Sequence, residues 1–448
     1  MTLPEHILVC ISRLEAAGFE AYAVGGCVRD DRLGRTPHDF DLCTSALPEQ
    51  TEAVFAGYPL LLEGKKHGTV CVVLQEDVVE ITTFRQEGAY SDNRHPDWVR
   101  FVREVEADLA RRDFTVNAMA WSPLRGYADP FGGRQDLQNN LLRTVGDPMV
   151  RFREDPLRIL RGIRFASRYA MQVEPDTMHA MQVLAPLIGT LAKERIYDEM
   201  CRILPLLRVE DVIRFAPVFG EVIPEMKPMI GFDQKSPHHA YDLYTHTAYV
   251  VAAVPEDLTL RWAAFLHDVG KIPSFTQDET GRGHYYGHAG TGAQLSAQIL
   301  SRMKAPAQLS KQVSFLIENH MARLVPDKKI LRRKLSCFGW DMVQNILLLQ
   351  EADMNSKGVP EELPQQRFVQ IRKLLEEIRR DADCLSLREL AVNGRDLMAL
   401  GICGKEVGSK LQELLEQVMD DPAVNNRKAL LSYLQKQISG ENPRFEKE

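Results

Sequence analysis

Two aspartates separated by a single residue carry the clearest chemical signal in this sequence of 448 residues. Asp39 and Asp41 follow an apolar run and the adjacent pair Gly25 and Gly26. In a strand, side chains two residues apart lie on one face, so we expect both carboxylates to face one point. Two carboxylates combined with the phosphates of a substrate are how proteins usually hold Mg²⁺. The tripeptide alone could be a polar turn, but its position after the glycines favours a magnesium site.

The glycine pair predicts where phosphates would lie. Two glycines allow positive φ angles and a close approach of the backbone to a ligand. The helix-like segment after them would direct backbone N–H groups towards a triphosphate, and Arg29 is placed to pair with phosphate oxygens. Two metal ions held by Asp39 and Asp41 would stabilise the attacking and the leaving oxygen. The combination indicates phosphoryl transfer.

A second pair of residues could select a nucleobase. Asp155 and Arg158 are three residues apart, and we expect them to share a helix face. Cytosine and adenine each present an amino donor beside a ring-nitrogen acceptor, whereas uracil and guanine present the reverse. Because Asp only accepts hydrogen bonds and Arg only donates them, this pair matches cytosine and adenine. Against UTP or GTP it would leave buried polar groups unpaired, which is a strong basis for rejection.

The same helix carries further arginines. Arg161 and Arg164 continue the face of Arg158 and would support the base or the triphosphate. A solvated basic helix is the alternative, since Arg151, Arg153 and Arg168 crowd the same region. Apolar residues on the opposite face predict a packed side, which favours the phosphate-facing interpretation.

Five motifs stand in a fixed order along the chain. They are GGCVRD (25–30), HDFDL (38–42), EITTFR (80–85), RRDFTVNAMA (111–120) and EDPLRILRGIRFA (154–166). In these motifs the chain resembles the class II tRNA nucleotidyltransferases and bacterial poly(A) polymerases, which belong to the polymerase-β-like nucleotidyltransferases. The resemblance extends over the whole chain. It implies a template-independent enzyme that uses Mg²⁺, with Asp155 and Arg158 acting as an amino-acid template.

The resemblance also implies roles for residues between these motifs. Glu80 becomes a candidate third carboxylate and general base on a neighbouring strand, although an ordinary surface glutamate is equally compatible with the sequence. The resemblance places Arg111, Arg112 and Asp113 at the nucleotide, with Arg112 in contact with it. We expect at least one of the two arginines to be structural.

Two segments favour CCA addition over the runner-up, poly(A) addition. The stretch YSDNRHPDWVRFV (90–102) resembles the flexible loop of complete CCA-adding enzymes, which is associated with the switch from C to A, although Asp92, Arg94 and Pro96 could be turn formers. Residues 387–418 resemble the tail that holds tRNA in Gram-positive-type CCA enzymes. The resemblance therefore implies tRNA, CTP and ATP as partners. Five basic residues on one helix could touch phosphates or could equally be a solvated face: Lys328, Lys329, Arg332, Arg333 and Lys334.

A second set of residues has the composition of a metal site. Its order, H…HD…H…H…D, resembles the HD phosphohydrolase superfamily, and imidazole with carboxylate suits a divalent transition metal that would activate water. A degenerate domain kept for RNA binding or dimerisation is one alternative. An HD hydrolase whose head only binds RNA is another. We expect His238 and His239 at the surface, and His284 has no clear place. The expected ligands are His246, His267, Asp268, His288, His320 and Asp353.

The elements that must position these residues change along the chain. Short strand-like runs occur up to about residue 135, and apolar residues at helical spacing dominate afterwards. This pattern predicts a small α/β or α+β domain followed by a helical remainder. Together with the two resemblances it implies an α+β fold, in which a small polymerase-β-like head precedes an all-α neck, body and tail containing a helical HD domain. The predicted domains are a head (1–135), a neck and body with the nucleotide-selecting helix (136–230), the HD domain (231–357) and a tRNA-binding tail (358–448).

Composition narrows the class of protein further. The net charge of -7 excludes a globally basic nucleic-acid binder, but not one with local basic clusters. Eight cysteines without a C-x-x-C pair make a zinc ribbon unexpected and predict a reducing, cytoplasmic location. No window has about 18 uninterrupted apolar residues, so we expect no membrane span.

Overall fold

The computed structural model describes residues 1–37, 39–74, 77–88, 98–237, 239–358 and 363–439. These residues form two compact units. The first comprises Met1–Pro228 with Ile299–Ala305, and the second comprises Met229–Gln298 with Pro306–Glu448. His38, His238 and the loop residues Asp92, Arg94 and Pro96 lie outside the described residues. The finer division into four domains stays a prediction.

A mixed sheet of seven strands organises the start of the first unit, in the order β3-β4-β5-β2-β1-β8-β9. Strands β2 and β5 run parallel, whereas β1 pairs antiparallel with β2 and β8. The strands in the first unit are β1 (Ala21–Val24), β2 (Asp41–Thr44), β3 (Leu60–Leu61), β4 (Thr69–Leu74), β5 (Asp77–Thr83), β6 (Arg85–Glu87), β7 (Val99–Phe101), β8 (Ala120–Ser122), β9 (Gly126–Ala128), β10 (Leu141–Leu142) and β11 (Gln172–Val173).

Burial along the strands explains why these segments fold as a sheet. Strand β4 alternates strictly between buried and half-buried positions, as expected where one face meets a core. All four residues of β1 are buried, which suits its place in the interior of the sheet. In the register, Val24 pairs with Asp41 and Leu42 pairs with Ile81. The start of β2 therefore lies beside the end of β1, where the glycine pair begins.

Helices complete the first unit. The helix that begins at Leu157 buries Ile159, Leu160 and Ile163 and packs against the helix that begins at Lys193. Its apolar side is therefore packed, as the sequence predicted. The helices are α1 (Glu5–Ala16), α2 (Gly26–Arg32), α3 (Pro48–Val54), α4 (Val105–Ala110), α5 (Gly133–Gln138), α6 (Pro148–Glu154), α7 (Leu157–Tyr169), α8 (Pro175–Leu184), α9 (Lys193–Ile203), α10 (Val209–Arg214) and α11 (Ala216–Val222).

The second unit is mostly helical, and the α+β class with a helical remainder is confirmed. Beyond residue 136 two small ribbons, β10–β11 and the pair β12 (Thr276–Gln277) and β13 (Gly283–His284), add strands that the sequence did not predict. The remaining helices are α12 (Leu243–Ala253), α13 (Leu258–Leu266), α14 (His288–Arg302), α15 (Ala307–Asn319), α16 (Lys328–Phe338), α17 (Trp340–Asn355), α18 (Leu363–Arg380), α19 (Gly394–Ala399), α20 (Lys405–Asp420) and α21 (Arg427–Ile438). The end of α14 belongs to the first unit.

The basic residues of α16 are largely engaged within the second unit. Arg332 is buried, and its Nε donates to Asp383 at 2.6 Å while its Nη1 donates to the carbonyl of Met419 at 3.1 Å. Arg333 pairs with Asp420 at 3.0 Å, and Lys328 pairs with an acidic residue of α18 at 2.9 Å. These contacts indicate that much of this face packs helices together, rather than being a free phosphate-binding surface.

The buried pair on α16 generates a stability prediction. Asp383→Ala should lower the free energy of unfolding by about 3 kcal/mol, because it leaves the Arg332 charge buried without its partner. Asp420→Ala, which removes the partner of the exposed Arg333, should cost under about 1 kcal/mol. Urea denaturation of both variants measures the difference. Equal midpoints for the two variants would contradict a buried, energetically important pair.

Candidate active site

A cleft of about 750 Å³ in the first unit collects nearly all of the residues predicted to act on a nucleotide. It brings the magnesium-binding candidates and the base-selecting candidates to one space, although more than a hundred residues separate them in the sequence. The predicted residues that line it are Gly25, Gly26, Arg29, Asp39, Asp41, Arg111, Arg112, Asp113, Asp155, Arg158, Arg161 and Arg164.

Both aspartates face the cleft, but they do not lie on one face of a strand as the sequence predicted. Asp41 is the first residue of β2, but Asp39 precedes the strand, so strand alternation does not account for its direction. Phe40 between them is half-buried. The pKa of Asp41 is raised above its ordinary value. Burial is the main cause and the charge of Asp39 adds to it, whereas Arg112 acts in the opposite direction and lowers the pKa. A carboxylate at Asp41 whose charge is opposed by burial and by Asp39 fits the binding of a divalent cation.

Glu80 lies on the strand beside Asp41. Strands β2 and β5 are parallel, and the pairing of Leu42 with Ile81 puts Glu80 next to Asp41 across the strands. This agrees with the predicted neighbouring strand. Its side chain is exposed, and Glu80 is not among the described residues that line the cleft. Its role as a general base stays a prediction.

Only one of the two glycines needs its conformational freedom. Gly25 has φ +78°, and a Cβ there would lie 2.7 Å from Nη1 of Arg112. Gly26 is the first residue of α2, and a Cβ there would meet Arg29 at an ordinary 3.7 Å. The expectation of positive φ therefore holds for Gly25 alone. Its missing side chain makes room for Arg112 at the cleft wall.

Arg29 is fixed within the wall of the cleft. It is buried, its Nε donates to Asp30 at 2.9 Å, and its Nη1 donates to Oδ1 of Asn117. Its guanidinium also lies 4.6 Å from the ring centre of Tyr169. A phosphate would therefore meet an arginine whose position is already set by contacts on several sides.

The two neighbouring arginines at 111 and 112 have different surroundings. Arg111 donates from Nε to Asp108 at 3.0 Å and from Nη1 to Glu87 at 3.1 Å. This agrees with the expectation that one arginine of the pair is structural. Arg112 lies 3.7 Å from the second oxygen of Asp108 and packs against Gly25 beside Asp41. Arg112 is the one placed beside the candidate magnesium ligands.

Asp113 is committed to contacts within the protein. It accepts from Nε of Arg161 at 2.8 Å and from Nδ2 of Asn117 at 3.0 Å. Burial opposes its ionisation, but these contacts together lower the pKa of Asp113 to about 2. Asp113 therefore stays ionised at neutral pH and fixes the guanidinium of Arg161 at the cleft.

The base-selecting candidates face the same cleft from two different segments. Helix α7 begins at Leu157, so Asp155 lies in the break after α6, and the expectation that it shares a helix face with Arg158 is wrong. Oδ1 of Asp155 accepts a hydrogen bond at 3.1 Å from the backbone N–H of Leu157, the first residue of α7. Oδ2 accepts from Nη2 of Arg195 at 3.0 Å.

Arg158 is buried, and contacts within the protein hold its guanidinium in place. Its Nη1 pairs with Glu154 and donates to the carbonyl of Arg151 at 3.0 Å. Its Nη2 donates to the carbonyl of Arg111 at 3.3 Å. Because a guanidinium carries five N–H donors and a carboxylate has about four lone pairs, Arg158 and Asp155 can each engage a further partner in the cleft.

The charge of the cleft favours a polyanion. Among the described residues, nine arginines and four aspartates line it. Arg164 is paired with Glu199 at 2.6 Å, so its position is also fixed. Sequence reasoning missed Arg195 and Arg202, which lie seven residues apart on α9 and so share one face. That spacing was visible, but nothing in the sequence indicated that α9 packs beside α7.

The histidine-rich set forms a second cluster, in the second unit. Each of its four histidines directs Nδ1 towards a backbone carbonyl, at distances between 2.6 and 3.1 Å. This arrangement orients the ring and is common behind metal-bound histidine. The four carbonyls belong to Ser356, Ala264, Tyr285 and Ile317.

The Nε2 atoms of these histidines converge on two aspartates. Nε2 of His246 lies 2.9 Å from Asp353, and Nε2 of His267 lies 3.1 Å from Oδ2 of Asp268. Nε2 of His288 lies 3.2 Å from Nε2 of His320 and 3.8 Å from Oδ1 of Asp268. Two groups with metal-ligand spacing therefore share Asp268, one through each of its oxygens.

A cavity of about 230 Å³ opens beside this cluster. Asp268, Asp353 and His320 line it, together with His239, which the sequence placed at the surface. That expectation is wrong: His239 is half-buried, and its ring centre lies 5.1 Å from that of His246. Burial lowers the pKa of His239 to about 3, so its ring is neutral at physiological pH.

Three protein-family models match the chain. They are described as the Poly A polymerase head domain (residues 21–143), the probable RNA and SrmB-binding site of polymerase A (170–210) and a putative tRNA nucleotidyltransferase domain 2 (288–434). The CCA-adding enzyme of Enterococcus faecalis is 32% identical over 431 residues, covering 96% of this chain and 95% of that protein. The chain belongs to the family of CCA-adding enzymes.

Other members of this family show similar agreement. The CCA-adding enzyme of Streptococcus sanguinis is 32% identical over 447 residues, covering 97% of this chain and 98% of that protein. The crystal structure of the Bacillus stearothermophilus CCA-adding enzyme in complex with CTP has a TM-score of 0.69 and 27% identity, covering 98% of this chain and 99% of that one. These relatives are named for CCA addition, so they support that activity over the poly(A) alternative. No helix among the described residues is long and apolar enough to cross a membrane.

The two glycines generate a matched pair of variants. Gly25→Ala should cost about 1–3 kcal/mol of unfolding free energy, since a side chain there is strained at positive φ and collides with Arg112. It should also reduce nucleotide incorporation, because Arg112 must leave its place beside Asp41. Gly26→Ala, at a helical position with room for a Cβ, should preserve stability, although Gly26 also lines the cleft. Equal stability of the two variants in thermal unfolding would contradict the strain at Gly25.

Proposed function

We propose that this nucleotidyltransferase adds the 3′-terminal C, C and A to tRNA, using CTP, ATP and Mg²⁺. The observation that carries the proposal is the cleft shared by Asp39, Asp41, Asp155 and Arg158. It combines a place for metal-bound phosphates with a place that can distinguish bases. Membership of the family of CCA-adding enzymes supports the same activity.

The carboxylates of Asp39 and Asp41 would hold magnesium. Bound Mg²⁺ would stabilise the charge on the attacking and leaving oxygens during phosphoryl transfer. Arg29 and Arg112 lie on the wall beside these carboxylates and would bind the phosphates. Glu80, on the strand next to Asp41, is the candidate general base, and this role requires it to come within hydrogen-bond reach of the tRNA 3′ hydroxyl.

Selection of the base would use hydrogen bonds rather than a nucleic-acid template. Asp155 would accept the amino hydrogen of cytosine or adenine, and Arg158 would donate to the adjacent ring nitrogen. Arg195 and Glu154 hold these two groups in place, so neither can turn away to suit uracil or guanine at low cost. Arg161 and Arg164, each fixed by its own carboxylate, would bind the triphosphate.

The likeness of residues 387–418 to the tail of Gram-positive-type enzymes supports contact with the outer part of tRNA. Eight cysteines, all within the described residues and none in a disulfide, support the expected cytoplasmic location. The loop at 90–102, which resembles that of complete CCA-adding enzymes, supports all three additions by one protein.

For the second unit we propose a divalent transition metal held by the predicted ligands, His246, His267, Asp268, His288, His320 and Asp353. Nε2 of His246 and Nε2 of His267 are buried and approach carboxylate oxygens of Asp353 and Asp268 at 2.9 and 3.1 Å, without a well-formed hydrogen bond among the described residues. Oδ2 of Asp268 already pairs with the ammonium of Lys271 at 2.7 Å, so a metal bound there would compete with Lys271 for this oxygen. Imidazole nitrogens together with carboxylates are donor groups that suit a divalent transition metal. A metal there would activate water for hydrolysis of a phosphoester. Phosphatase or cyclic phosphodiesterase activity on tRNA ends is the expected reaction.

The test of CCA addition is a tRNA lacking its CCA, incubated with each nucleotide separately. CTP should extend it by two residues, and ATP should be added only afterwards. Long adenylate tracts on unrelated RNA, with CTP ignored, would overturn the proposal.

The selecting arginine makes a sharper prediction in the same assay. Arg158→Ala should relax the preference for CTP over UTP by a large factor, because loss of a buried hydrogen-bond donor is worth about 1–3 kcal/mol. Measuring kcat/KM for each nucleotide gives the ratio. A slower variant whose ratio matches that of the unaltered protein would show that Arg158 does not select the base.

The two proposed sites should be separable. Asp41→Ala should abolish nucleotide addition, because a magnesium ligand is lost, and should leave phosphatase activity and transition-metal content unchanged. His267→Ala should abolish phosphatase activity and lower the transition-metal content, and it should leave nucleotide addition unchanged. Addition is measured on tRNA, hydrolysis on a nucleoside phosphate, and metal by elemental analysis. Loss of both activities in either single variant, with the fold intact, would contradict two independent sites.

A further inference from the structure

The guanidinium of Arg158 depends on a chain of contacts that begins outside the cleft. Its partner Glu154 is the last residue of α6 and also pairs with Nη1 of Arg151 at 2.8 Å. Arg151 in turn donates from Nε to the carbonyl of Val145 at 3.2 Å and from Nη2 to the carbonyl of Ala110 at 2.8 Å. Arg151 therefore ties Glu154 to two backbone positions of the fold.

A chamber of about 180 Å³ lies beside this contact chain, between residues that the structure describes. It is lined by Arg151, Glu154 and Ala110, and the charged residues Glu87 and Arg111 face it as well. Arg158 lines the nucleotide cleft instead. The chamber leaves room for the Glu154 carboxylate to turn away from Arg158. Arg151, whose side chain is 15% exposed, contacts Glu154 at 2.8 Å and opposes that turn.

We propose that Arg151 is a positioning residue for nucleotide selection. It holds Glu154 out of the chamber, and Glu154 holds the guanidinium of Arg158 at the angle that suits the ring nitrogen of cytosine or adenine. The side chain of Arg151 does not line the cleft and would act on Arg158 through Glu154. The carbonyl of Arg151 also accepts from Nη1 of Arg158 at 3.0 Å, and this backbone contact is kept in every side-chain variant. The inference rests on the proposed base-selecting role of Arg158.

The structure supplies a matched control. Arg153 lies two residues from Arg151 on the same helix, and its side chain is exposed. Arg151→Ala and Arg153→Ala therefore remove the same charge from the same helix, but only the first removes a contact with Glu154. Arg151→Lys keeps the charge and one point of contact, but it cannot reproduce the forked contacts of a guanidinium.

The test measures kcat/KM for CTP and for UTP on tRNA lacking CCA, alongside thermal unfolding. Arg151→Ala should lower the ratio of CTP to UTP at least about tenfold, the effect of 1.4 kcal/mol, with Arg151→Lys intermediate and Arg153→Ala unchanged. The double variant Arg151→Ala/Arg158→Ala should show the ratio of Arg158→Ala alone, because the two residues act in series. A residue that served only the fold would alter the unfolding temperature and the rates for both nucleotides together.

Two results would overturn the proposal in distinguishable ways. If Arg158→Ala lowers the ratio but neither Arg151→Ala nor Arg151→Lys does, Arg151 has no positioning role and the base-selecting pair stands. If Arg158→Ala leaves the ratio unchanged, the base-selecting pair is wrong and the inference fails with it. Should Arg151→Ala not fold, Glu154→Gln with Arg151→Lys decides the question. Both should lower the ratio, and an unchanged ratio in both would refute the chain of contacts.

Discussion

The cleft of the first unit depends on one constraint. A hydrogen-bond acceptor, Asp155, and a donor, Arg158, must be held in fixed positions beside the carboxylates of Asp39 and Asp41. Neither Asp155 nor Arg158 belongs to the sheet that carries Asp41. Their common cleft exists because α7 buries its apolar side against α9, while Arg158, Arg161 and Arg164 line a cleft that Gly25 and Asp41 also line. Packing of the helices therefore sets the distance at which a base and its phosphates could be held at once.

Ion pairs within the protein keep the cationic side of this cleft ordered. Arginines that repel one another would spread apart if each lacked a partner, yet Arg161 and Arg164 each lie against their own carboxylate. Their partners Asp113 and Glu199 are buried, so the attraction is little screened by water. The fold therefore presents a preorganised surface for a triphosphate, which needs little rearrangement when charge develops in the transition state.

The sequence predicted which residues meet far better than it predicted how they meet. Spaced motifs drew attention to Asp39, Asp41 and Arg158, and the structure places all three at one cleft. The sequence could not show which way Asp155 faces, although Pro156 disfavours a helical conformation at the residue before it and so indicated a helix start at this point. It also could not show that Arg195 reaches Asp155, or that His239 enters the second cavity. Those contacts depend on packing between segments that are distant in the chain.

If one cleft reads the base and holds the phosphates, a crystal structure of the protein with CTP and Mg²⁺ should show both parts of CTP bound there. We expect the cytosine amino group within hydrogen-bond distance of Asp155 and the ring nitrogen within that distance of Arg158. We expect metal-bound phosphates at Asp39 and Asp41. A bound CTP whose cytosine lies away from both selecting residues, in a protein that still prefers CTP over UTP, would contradict this expectation.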